Sequence, residues 1–128
     1  MFKRVLTALL IAGLGLSTMS CKFIKEYNAR VAAIEIENVD LQQVADGEYI
    51  GEYDAILVKV KVRVTVKNHA IETIELLQHN NGRGEAAEVI PDQVIKAQSL
   101  RVDTISGATS SSKVILEAIE LALKKGIN

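Results

Sequence analysis

The stretch Val-Lys-Val-Lys-Val-Arg-Val-Thr-Val-Lys, residues 58 to 67, is the strongest constraint on what this chain can become. Val58, Val60, Val62, Val64 and Val66 fall on one side of a strict alternation, which Ile56 extends, while Lys59, Lys61, Arg63 and Thr65 fall on the other. A period of two places β-branched residues on one face of a strand and charges on the opposite face. Such a strand needs hydrogen-bonded neighbours along its edges and an apolar layer against its valine face.

The flanking residues supply both. Asp46-Gly47 reads as a turn that opens the segment, and Gly51 reads as a break between a short strand and the long one. Lys67-Asn68-His69 reads as a second turn, with Asn68 suited to the left-handed conformation. The following "AIETIELLQ" returns as an extended partner, which makes a hairpin. From Lys113 to Lys125, Val114, Ile115, Ala118, Ile119, Leu121 and Ala122 recur at helical spacing, with Gly126 at the stop. The predicted fold is α+β: a single small domain with a twisted, mainly antiparallel sheet that contains the 55–67 strand and packs against the 113–125 helix.

Between hairpin and helix, "HNNGRG" over residues 79–84 is a polar loop. His79 reads either as a ligand or proton partner or as a solvated strand-end histidine. Arg83 reads as a phosphate-binding candidate or a surface charge. Pro91 suits the first turn of a helix within Ala86 to Ser99, running through Val94, Ile95 and Ala97. Leu100 to Val102 is short enough to pair as one more strand.

The N-terminus belongs to a different argument. Lys3 and Arg4 precede the apolar run Val5 to Leu16, then small residues, then Cys21, the order of a secretory signal. Cys21 is the chain's one cysteine. In an exported protein it is buried, free, intermolecular or modified, and its position resembles the lipidated first residue of a bacterial lipoprotein. The alternatives are an ordinary cleaved signal and a retained membrane anchor. The expectation is a signal segment over 1–20, an anchor and linker arm over 21–45, and a domain over 46–128, held outside the cytoplasm at the cell membrane. Residues 22 to about 45 are ambiguous between a short helix and an extended arm. Without residues 1–20 the chain carries 13 Lys plus Arg against 16 Asp plus Glu, a formal charge of −3. That balance speaks against a nucleic-acid footprint, which needs clustered basic residues.

One feature remains: "VDTISGATSSS", residues 102–112, gathers Thr104, Ser106, Thr109, Ser110, Ser111 and Ser112 at the entrance of the C-terminal helix, around Gly107. A helix N-terminus presents unpaired N–H groups and a partial positive charge. Hydroxyls can cap it, and a phosphate can bind there. Both readings stand on the residues alone.

"DTISGAT", Asp103 to Thr109, resembles the flavinylation motif of the FMN-binding domain family: Asp, two variable residues, Ser or Thr, Gly, Ala and Thr. The likeness extends over about residues 46 to 125. "DGEYIGEY" is similar to the family's opening at Asp46, Gly47, Tyr49 and Gly51, and "SSKVILEAIELAL" to its closing helix. The family includes flavin-bearing subunits of sodium-pumping NADH:quinone reductase and of a related ferredoxin-linked complex. It also includes small exported stand-alone domains, which this chain resembles.

The resemblance implies that Thr109 accepts FMN from a flavin transferase through a phosphoester. It implies that Asp103, Ser106, Gly107 and Ala108 are the transferase's recognition sequence and the phosphate-side wall. Tyr49, Leu76, His79 and Gly84 are candidates for the ring's other side. The flavin would then supply the redox chemistry and the fold its position, making the chain an electron carrier more than an enzyme. Its partners would be a redox protein or a quinone-linked electron-transfer chain. The alternatives are a non-covalent FMN-binding domain or flavin reductase, and a flavin-free exported interaction domain.

Overall fold

A computed structural model describes residues 21–80 and 84–127. The signal segment 1–20 and Arg83 lie outside the described residues. Helix α1 covers residues 21–32 and is followed by an irregular stretch and a short 3-10 turn at Leu41–Gln43. Three antiparallel strands come next: β1 (Gly47–Asp54), β2 (Lys59–Lys67) and β3 (Ala70–Asn80), ordered β1-β2-β3. A 3-10 segment, Glu85–Val89, leads into α2 (Ile90–Ala97), and α3 (Thr109–Lys124) closes the chain. The fold is α+β, as the sequence predicts.

The valine alternation does what its period requires. Val60, Val62, Val64 and Val66 are buried and meet Val114, Ile115, Ala118, Ile119 and Ala122 of α3 in one core. β2 pairs with β1 from Lys59 opposite Asp54 to Val66 opposite Gly47, and with β3 from Lys67 opposite Ala70 to Lys59 opposite Asn80. Two register shifts occur in the β2–β3 ladder. They leave Ile71, Ile74, Leu76 and His79 opposite Val66, Val64, Val62 and Val60. The inward side of β3 therefore has no simple period of two.

Three expectations are corrected. The long strand begins at Lys59, because Ile56 sits in the β1–β2 turn with φ 72°, where an extended strand cannot continue. The turn is tied by the Ala55 N–H donating to the Val58 carbonyl at 2.9 Å. Gly51 does not break a strand but lies inside β1. A Cβ there would overlap the Ala118 carbonyl and come within 2.9 Å of the Ala122 Cβ. Its lack of a side chain lets α3 lie close on the sheet. Leu100 to Val102 forms no strand. The Lys67-Asn68-His69 turn has the expected form, with Asn68 at φ 52° and His69 at φ 61°, and Pro91 stands in the first turn of α2.

Residues 34–44 join the same core through Ile34, Val39 and Val44. The Glu37 N–H donates to Glu120 Oε1 at 2.5 Å, and Lys124 Nζ lies 3.2 Å from the other oxygen of that carboxylate. Val44 also bridges to Ile127, which joins the arm to the end of the chain. One turn before Glu120, Glu117 has a carboxylate oxygen shut off from solvent with no hydrogen-bond partner among the described residues. Burial, then the Glu120 charge, raises its pKa, against the opposing effect of Lys124.

Candidate flavin site at the entrance of α3

The hydroxyl-rich loop is shaped by one of its own serines. Ala108 N–H donates to the Ile105 carbonyl at 2.9 Å, closing a β-turn with Gly107 in its third position at φ 81°. Positive φ at that position favours glycine. Ser112, fully buried, then locks the turn to the helix. Its Oγ accepts from the Ile105 N–H at 3.0 Å and donates to the Ala108 carbonyl at 2.8 Å.

The hydroxyl-rich sequence predicts a capped helix, yet α3 starts without a capping hydroxyl. The N-cap residue is Ala108, and among the described residues the helix start has no side-chain capping hydrogen bond. No acidic residue lies in that turn either. An uncapped helix of this length offers its first N–H groups and about half a positive charge to an incoming anion.

A cavity of about 380 Å³ opens at this helix start, within the range of roughly 300–1,000 Å³ usual for small-molecule sites. Gly107, Ala108, Thr109, Ser110 and Ser111 form one side. Val58 at the foot of β2, Gly84 and Tyr27 of α1 complete it. Thr109 is exposed, Ser110 half-buried and Ser111 buried.

The candidate residues therefore separate. Gly107, Ala108, Thr109 and Gly84 meet at the cavity. Ser106 is exposed in the adjoining turn, and Asp103 is exposed further back; neither lines it. Tyr49 lies elsewhere, with its Oη donating to the Ala45 carbonyl at 2.6 Å and its ring against the position of Gly126. Leu76 faces Val62 in the sheet. His79 is not a solvated strand-end residue: its side chain is 2% exposed, with Nδ1 3.0 Å from Glu88 Oε1. It ties β3 to the 3-10 segment across the polar loop. Tyr27 is the lining residue that the sequence did not single out. An i, i+4 pair with Val31, both packed against the core, is the signal that would have found it.

Together these features define a small α+β domain with a ligand-sized cavity at an uncapped helix start. Residues 58–124 match the model of the FMN-binding domain, and the chain belongs to that family. Its cofactor is FMN. An uncharacterized protein of Treponema pallidum (strain Nichols) is 27% identical over 115 residues, covering 88% of this chain and 32% of that protein. The chain thus spans about a third of that relative's length. The residues present suit the cofactor. The helix start suits a phosphate, and a Cβ at Gly107 would meet no atom within 4 Å, so the backbone there is open to approach.

Proposed function

We propose that this chain is an exported, membrane-anchored electron-transfer protein that carries FMN in a phosphoester with Thr109. The observation that carries this reading is the placement of Thr109: an exposed hydroxyl in the first residue of an uncapped helix, on the wall of a ligand-sized cavity. Attachment would use Thr109 Oγ as the nucleophile toward the flavin-side phosphorus of a flavin dinucleotide held by a transferase. The new O–P bond replaces the pyrophosphate linkage, a nucleoside monophosphate leaves, and the hydroxyl proton passes to a base on the transferase.

After attachment, FMN supplies reversible electron uptake at its isoalloxazine ring. The chain's own residues hold it. The first N–H groups of α3 and the helix dipole stabilise the negative phosphodiester. Gly107 and Ala108 keep that side of the cavity free of bulk, and Ser112 fixes the turn that carries them. Asp103 and Ser106, exposed and outside the cavity, suit recognition by the transferase.

Cys21 is the proposed lipid attachment point. It is exposed at the start of α1, and among the described residues no helix is long and apolar enough to cross a membrane. Electrons would pass to or from a redox partner protein or a quinone-linked chain at that surface.

Co-expression with a flavin transferase, denaturation and peptide mapping test the reading. Flavin should survive denaturation in wild type and Ser110→Ala and be absent from Thr109→Ala. Flavin on a neighbouring serine would overturn the Thr109 assignment, and flavin that washes out of wild type would establish non-covalent binding instead. In its native host, Cys21→Ser should release the protein from the membrane fraction; retention there would overturn the lipoprotein reading.

A further inference from the structure

We infer that Tyr27 is the aromatic contact of the flavin ring, so that helix α1 is a wall of the flavin site and not a spacer between membrane and domain. The inference rests on the FMN reading above and adds a residue outside the matched region 58–124.

The cavity has one aromatic side chain on its wall among the described residues, and it is Tyr27. The rest of the lining is small or aliphatic: Val58, two glycines, Ala108 and the hydroxyl residues. The chain has no Trp and only three Tyr. Tyr49 is committed to Ala45 at the far end of β1, and Tyr53 Oη donates to the Arg30 carbonyl at 3.3 Å. Tyr27 is half-buried, so its ring has both support and a free surface.

Its position is fixed from one turn away. Arg30 Nη1 donates to the Asp54 carbonyl at 3.0 Å, and the Arg30 carbonyl receives Tyr53 Oη. Both bonds tie α1 to the end of β1, close in sequence to Val58, which shares the cavity wall with Tyr27. The Arg30 guanidinium and the Tyr53 hydroxyl, and not Tyr27 itself, thus hold in place the helix that carries the ring. A flat isoalloxazine with its phosphate at Thr109 would gain offset stacking from an aromatic face lining the same cavity.

Tyrosine in contact with a flavin has a specific signature. The phenol lends an electron to the photoexcited ring and recovers it, which extinguishes emission without net oxidation. Phenylalanine stacks equally well but is a far poorer electron donor, so the two substitutions separate contact chemistry from packing.

The test uses full-length protein loaded with FMN by co-expression with a flavin transferase, as wild type, Tyr27→Phe and Tyr27→Leu. Flavin emission per bound FMN should rise several-fold in both variants. Access of iodide to the flavin should rise in Tyr27→Leu and stay near wild type in Tyr27→Phe, and a merely structural role would not produce that split. If Tyr27→Leu does not fold, Tyr27→Phe still decides through its emission. Flavin bound at the wild-type level with unchanged emission in Tyr27→Phe overturns the Tyr27 contact alone. Wild type that takes up no flavin overturns the reading of the cavity itself, and this inference with it.

Discussion

The hydroxyl of Ser112 accepts the N–H of Ile105 at 3.0 Å, reaching back across the turn that carries Gly107. The most buried of the six clustered hydroxyls therefore has an architectural task. Ser112→Ala leaves the Ile105 N–H unpaired and should cost about 1–3 kcal/mol in a urea titration. Covalent flavin loading should fall with it, because the turn before Thr109 loses its tie. Ser110→Ala should change neither measurement appreciably.

Gly107 tests conformation separately from space. Its φ is 81° and nothing lies within 4 Å of a Cβ placed there, so the demand is on the backbone. Gly107→Asn should load flavin, since asparagine tolerates left-handed geometry, whereas Gly107→Val should fold and load poorly. The left-handed strain is about 1–2 kcal/mol per residue. Equal loading in the two variants, measured by flavin retained after denaturation, would remove the conformational requirement.

Gly51 makes the opposite demand. A methyl group there would overlap the Ala118 carbonyl and press on Ala122 N at 2.7 Å, and α3 would have to lift from the sheet. Gly51→Ala should destabilise by about 1–3 kcal/mol, read as a lower urea midpoint with an unchanged slope. Gly107→Ala has no neighbour to displace, so its cost should be the left-handed strain alone, about 1–2 kcal/mol.

Glu117 predicts a pH effect. Burial raises its folded-state pKa, with the Glu120 charge adding to it, so the folded protein favours the neutral carboxyl. No penalty exists below the ordinary carboxylate range. It grows as pH rises from there through the raised value. Glu117→Gln should therefore be more stable than wild type at pH 7, and the gain should vanish near pH 4. Thermal melts at the two pH values check the sign.

The sequence made legible those features whose cause is local. Val60 to Val66 announce a half-buried strand by period alone, Asn68 announces its turn, and Pro91 announces the first turn of α2. The α3 face from Val114 to Ala122 is visible for the same reason. Features with a tertiary cause were not legible. Ile56 carries strand chemistry but occupies a left-handed turn position. Gly51 has the composition of a break, yet it exists for a helix that arrives much later in the chain. The register shifts of β3 conceal its inward set, so His79 reads as solvated when it is nearly sealed. At the site, the motif singled out Thr109 among the six hydroxyls, whereas the inward-facing role of Ser112 is visible only in the packing. Tyr27 stands in a segment whose helical character was ambiguous, and only packing places it beside Gly107.

The union of Tyr27 with residues 107–111 at one cavity also sets an order of events in the life of the molecule. These walls stand far apart in the sequence, and Ile127 bridges back to Val44. A chain still emerging from the ribosome holds the Tyr27 wall before residues 107–111 have been made. The cavity exists only after α3 has been made and has met α1. Filling of that cavity therefore has to follow folding across the whole span from α1 to α3. A truncation lacking α3 would carry away both Thr109 and the Glu120 carboxylate that holds the stretch around Glu37.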